Sequence, residues 1–246
     1  MYTKQAVLMV AVIAMLCVSC SEDNQSNPLT SSTIKGSGVL ETESRTVGDF
    51  DELTLSAAGK VNITFGVPQS VTVTVDDNIM PYLQTGHSGS HLDIRVQDGI
   101  DARDYDLVVD LVVADLKALE LAGVGSMGGH NTLQTEHIDL ALTGAGTIDL
   151  DVEVSTVSTL FSGPGSLTLT GTADTHTCEM SSAGDLHAFE LSTGTTDVTL
   201  SGVGSAEVNV SESLDANLSG LGSVYYRGNP TITGTDTGLG GVIDAN

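Results

Sequence analysis

The side chains of this sequence that could do chemistry are few and widely spaced. In Thr175-His176-Thr177-Cys178 an imidazole stands two residues before a thiol. On a strand that spacing puts both on one side, where they could reach one metal ion. Two ligands on one strand make no site without two more, so the pair reads as a core or turn histidine beside a buried thiol. The other histidines are His87, His91, His130, His137 and His187. Asp139, Asp149, Asp151 and Glu153 could supply the two carboxylates that hydrolysis of a neutral glycan requires, but so could any acidic surface. Between Lys117 and Arg227 there is no Lys or Arg. Sites that hold an acidic sugar and stabilise the charge developing in the transition state commonly use Arg or Lys, so this stretch counts heavily against such an enzyme.

Other signatures are absent. No Gly-x-Ser-x-Gly elbow occurs, and the Gly-rich stretches lack the following Lys and helix start of a phosphate loop. Gly128-Gly129-His130 does not continue into the Gly-Gly-x-Gly-x-Asp run of calcium-binding rolls. With no Trp and 5 Tyr, the chain offers poor material for a sugar-stacking cleft. No catalytic, cofactor-binding or metal-ligating residue is therefore assigned. The outward acids leave room only for weak, unplaced Ca2+ binding.

The elements that must carry these side chains begin after a targeting segment. Lys4 precedes an uncharged apolar run of 13 residues, 6–18, which has the length of a signal-peptide core and is short for a membrane span. Leu16-Cys17-Val18-Ser19-Cys20 resembles a bacterial lipobox, with Cys20 the residue to be acylated and Cys17 standing where Leu is usual. An ordinary secretory signal cut nearby is the other reading. Residues 1–19 read as signal peptide and the polar stretch 20–33, with Pro28, as a lipidated flexible tether. The formal net charge is −24, which repels nucleic acid and anionic membrane surfaces. Once Cys17 leaves and Cys20 carries lipid, Cys178 has no disulfide partner.

The body of the chain repeats itself. Residues 53–63, 119–129, 140–150, 159–169, 178–188, 198–208 and 216–226 read apolar-x-apolar-x-small-x-Gly-x-apolar-x-apolar with few exceptions. From Gly125 the anchoring glycines, Gly146, Gly165, Gly184, Gly204 and Gly222, follow at steps of 21, 19, 19, 20 and 18. Alternation within each unit says strand, and a period near 20 says solenoid. One parity collects Leu140, Leu142, Gly144, Gly146, Ile148, Leu150, Val152 and Val154; the other collects Thr143, Thr147, Asp149, Asp151 and Glu153. Gly123, Gly144, Gly163, Gly202 and Gly220 should form a ladder at a close-packed inner corner, with Ala57 and Ser182 replacing Gly in it. The fold expected is all-β: a parallel β-helix, or β-solenoid, with coils of about 20 residues marked by Gly-x-Gly turns. It should fill residues 34–230 as a single domain, about ten coils and roughly 50 Å long. Gly59 and Gly125 are 66 residues apart, read as three larger, decorated coils. Arg227, Gly228 and Pro230 read as a stop to further strand addition, and 231–246 as a last strand and tail.

The opening of this body, with its Gly36/Gly38 pair, Arg45, Phe50, the Gly59 turn and residues 76–85, resembles the putative auto-transporter adhesin head GIN domain family. The later Gly-x-Gly units resemble that family's repetitive part, so the resemblance covers residues 34–227. It implies a β-solenoid on a secreted or lipid-anchored protein of Gram-negative bacteria and supplies no catalytic residues to carry over. Ser21-Glu22-Asp23-Asn24 resembles the acidic surface-export signals that follow the acylated Cys of some lipoproteins.

The function expected is that of a non-enzymatic, adhesin-like envelope lipoprotein of the outer membrane. It is held to the membrane by the lipid on Cys20 and engages a protein or glycan partner through its outward faces. A periplasmic scaffold or sensor at the outer membrane is the alternative, and a carbohydrate-active enzyme a minor one.

Overall fold

The computed structural model describes residues 32–246; Cys20 and the signal segment lie outside the described residues. Within them the chain winds as a β-solenoid of about 7 turns with coils of about 19 residues. At a parallel-strand spacing of about 4.8 Å the stack rises roughly 34 Å, shorter than the ten coils expected.

Each regular coil is almost one continuous strand. Ala145–Phe161 runs 17 residues, and Gly165–Met180 and Asp185–Leu200 run 16 each. Ile148, Leu150, Val152 and Val154 point inward along the first half of its coil. The strand then bends, parity shifts by one, and Val157, Thr159 and Phe161 fill the second half. β-Branched and Leu side chains suit this narrow interior, and Phe161 is the bulkiest fully buried side chain. Successive coils pair in parallel, residue over residue: Gly146 on Gly165, Leu150 on Leu169, Phe161 on Met180.

The glycine ladder is present, but its cause differs from the expected one. A Cβ on Gly144 or Gly146 would not press on the core; it would collide with the carbonyl oxygen of Gly123 or Gly125 in the preceding coil. The missing side chain points along the stack, so the obstacle is backbone. Gly146 also has φ +149°, where L side chains are rare. The inter-coil ladder runs straight through the turn, with Ala145 N–H donating to Gly123 O at 3.0 Å and Leu221 N–H to Gly202 O at 2.9 Å. Ser182 fits the column because its hydroxyl donates to Gly163 O at 2.7 Å.

The N-terminal part corrects the reading of decorated coils. Ala58–Phe65 stacks directly against Val124–Gly129, so the 66-residue interval spans one stacking step plus an excursion. The excursion is largely antiparallel: Ser70–Asp76 pairs with both Leu40–Arg45 and Leu107–Val113, and Leu83–Ser88 with His91–Val96. The last two are joined through Gly89 at φ +65°, a conformation that a tight hairpin requires. Leu107–Val113 and His91–Val96 then return parallel to Ala58–Phe65 and Glu52–Leu55, closing the first coil from beneath. Met80–Tyr82 forms a short 3-10 turn inside the excursion. Asp76 latches this end. Its buried carboxylate accepts the Asp106 and Gly38 N–H groups at 2.9 and 2.5 Å, and those bonds hold its pKa below the usual carboxylate range. Ser32 and Thr33, read as tether, belong to the strand Ser32–Lys35, which pairs with Ile100–Arg103.

At the other end the winding does not stop at Arg227, Gly228 and Pro230. Thr231–Thr233 pairs with residues 213–215 and Val242–Asp244 with residues 224–226, adding a further coil.

Candidate functional site

Because coils stack in register, every outward position repeats along the solenoid as a column of side chains. One column on the face before the bend runs Asp149, Thr168, His187, Glu207, Tyr225. One on the face after the bend runs Asp139, Ser158, Thr177, Asp197, Asp215. Hydroxyls mostly separate the acids, which limits like-charge repulsion between directly opposed strand neighbours. Asp197 on Asp215 is the exception.

The four acids singled out from the sequence are not brought together. Asp149, Asp151 and Glu153 share the outward side of one half-coil, while Asp139 lies after the bend. Glu153 accepts the Gln134 side-chain N–H at 2.7 Å, and Asp151 accepts the Thr132 hydroxyl and, at 3.0 Å, that of Thr170. Asp139 sits 2.8 Å from His137 Nε2 and edges a depression of about 300 Å³ beside exposed Leu160 and Glu179. Among the described residues no three His, Cys, Asp or Glu side chains are grouped so as to hold a metal.

His176 and Cys178 do share a side, and it is the inside. Both are fully buried; desolvation pushes the imidazole down to about 4 and the thiol up to about 12. Neutral His176 meets the Thr159 hydroxyl through Nε2 at 3.1 Å, while its Nδ1 has no partner. Below it, in the direction of the next coil, Thr196 and Thr193 are joined at 2.8 Å, and the Thr193 hydroxyl donates to Asn209 O. This is a polar seam inside an apolar core, with no opening toward a ligand.

A feature missed from the sequence lies at the Gly-x-Gly tips. The residue between the glycines is apolar in every coil: Ala58, Val124, Ala145, Pro164, Ala183, Val203, Leu221 and Leu239. These residues line one edge of the stack, with Val124, Val203 and Leu221 about 60 % exposed. The signal is in the repeat itself, where the residue between the two glycines is apolar each time.

Residues 49–230 match the family model described as "putative auto-transporter adhesin, head GIN domain". No curated protein matches the chain. Among solved structures, a putative adhesin from Bacteroides fragilis is 24 % identical with a TM-score of 0.82, over 86 % of this chain and 99 % of that one. A putative adhesin from Parabacteroides distasonis is 25 % identical with a TM-score of 0.62, over 87 % of this chain and all of that one. A putative lipid binding protein from the same species is 22 % identical with a TM-score of 0.71, over 87 % of this chain and all of that one.

Proposed function

Since the chain belongs to the family of the putative auto-transporter adhesin, head GIN domain, we propose that it is a non-enzymatic, adhesin-like module of the cell envelope. One observation carries this reading: the outward columns present polar groups of the same kinds, coil after coil, over five successive coils. Many weak contacts made together by such a face give avidity that no single contact supplies. The family's description names adhesion, which is not an enzyme class, and the four candidate carboxylates are spread over two faces.

In this reading Cys20 is acylated and anchors the protein to the outer membrane, with the stretch up to residue 31 as the tether. The acidic body, part of a chain with formal net charge −24, stands away from anionic lipid. Outward acids such as Asp149 bind Ca2+ weakly and bridge to a glycan or protein partner. Protease treatment of intact cells tests the placement. Loss of the solenoid before lysis agrees with a surface module; protection until the outer membrane is broken would favour a periplasmic scaffold instead.

A further inference from the structure

The coil-on-coil register from residue 133 onward breaks along one strand, beside residues 187–192 and again between Thr193 and Thr195. Pairing shifts between Thr168 and Thr170 on one side of the strand Asp185–Leu200, and between Ala188 and Ser192 on its other side. Extra residues in a strand re-aim the side chains beside them, and such bulges concentrate at functional sites. Here the bulge turns out Phe189 and Glu190, while Ala188 and Leu191 on either side stay buried.

Unusual side chains gather at this break. Arg227 is the only Lys or Arg in residues 118–246, and its guanidinium lies over the Phe189 ring, 4.1 Å from the centroid. Glu190 stands 3.8 Å from Arg227, and His187 Nδ1 is 3.0 Å from Glu207 Oε2. With Thr168 and Thr170 these residues wall an open depression of about 270 Å³. Arg227 remains 46 % exposed and His187 47 %, so both present polar atoms to a visitor.

We propose that this depression binds one uncharged sugar residue, the terminal unit of a neutral glycan; the proposal rests on the adhesin reading and gives it a specific site. Held over the Phe189 ring, the Arg227 guanidinium offers its own outer face, backed by the ring, to the C–H face of a pyranose. Around it the guanidinium donates, the carboxylates of Glu190 and Glu207 accept, and the Thr168 hydroxyl does either. Vicinal sugar hydroxyls, each both donor and acceptor, match that alternation. An acidic sugar fits poorly, because Glu190 already opposes the positive charge of Arg227 and Glu207 adds a second negative wall. A basic peptide would be drawn to the acidic surface at large and repelled by Arg227 at this spot.

The test uses the full-length Cys20→Ser chain, titrated with methyl glycosides of glucose, galactose, mannose and N-acetylglucosamine while amide NMR shifts are followed. At least one glycoside should shift residues 168–170, 187–190, 207 and 227 together, saturating in about the millimolar range. Arg227→Gln, an exposed change, should weaken binding at least tenfold without lowering the melting temperature. Phe189→Ala should do the same, and Thr177→Val, after the bend, should change nothing. Shifts from no neutral glycoside, shifts confined to other residues, or binding of glucuronate or a lysine peptide alone at these residues would overturn the proposal. Cells that still adhere when their protein carries Arg227→Gln would remove this site and leave the wider adhesin reading standing.

Discussion

The α-carbon of Gly146 faces the carbonyl oxygen of Gly125 in the preceding coil so closely that a Cβ on Gly146 would overlap that oxygen. The same relation recurs at Gly165 over Gly146 and at Gly222 over Gly204. Gly146→Val should therefore destabilise by about 3 kcal/mol or more, since the obstacle is backbone and the φ is unsuitable as well. Thr147→Val, one residue on and exposed, should stay within about 0.5 kcal/mol. Urea melts of the two variants check this; coincident midpoints would contradict the stacking.

If the coils are interchangeable, one can be removed whole. Gly146 pairs with Gly165 and Thr147 with Ser166, so deleting residues 147–165 splices a register position onto its own equivalent. The shortened chain should keep its β-sheet circular dichroism and a cooperative melt at a somewhat lower temperature, as nearest-neighbour stacking implies. A deletion of ten residues at the same place should abolish folding. Equal behaviour of the two would refute the repeat length.

His176 makes the core acid-labile. Its folded pKa of about 4 lies below the ordinary 6.5, so the unfolded chain takes up a proton that the folded chain refuses. Stability from neutral His176 is full above pH 6.5 and is lost as pH falls toward 4, amounting to about 3 kcal/mol across that window. His176→Val should flatten the wild-type decline between pH 7 and pH 4 in denaturant titrations. An unchanged slope would mean that the imidazole is hydrated in the folded state.

Cys20→Ser should leave an unlipidated protein in the aqueous phase of a detergent-phase separation, because buried acyl chains contribute about 0.8 kcal/mol per methylene. Retention of the variant in the detergent phase would remove the lipid anchor from the proposed function.

Much of the solenoid was legible in the sequence because its inner face is strict. The parity that gathers Leu140, Ile148, Leu150 and Val152 is buried as far as the bend after Val154, where the inward side passes to the other parity and takes in Val157 and Phe161. The Gly-x-Gly period located the turns. Alternation, however, cannot distinguish a parallel neighbour from an antiparallel one. Ser70–Asp76 alternates like any coil strand, yet its partners are Leu40–Arg45 and Leu107–Val113, both antiparallel. Pairing of Gly59 with Gly125 across 66 residues likewise leaves no local trace, which is why ten coils were expected where about 7 exist. Gly228 and Pro230 look like an ending because both are poor strand formers, but the tail beyond them finds parallel partners. The bulge at Phe189 did leave a mark. The uneven steps of 20 and 18 residues around Gly204 record the extra residue, though only the register shows which side chains it turns outward.

The most direct test of the account is attachment itself, counted on surfaces coated with a panel of glycans and proteins for cells that carry the protein, cells that lack it, and cells with Asp149→Asn and Asp151→Asn together. The account predicts that deletion abolishes most attachment, that the double substitution reduces it severalfold, and that a calcium chelator brings wild-type cells down to the level of the double variant. Equal attachment by deleted and wild-type cells would contradict it.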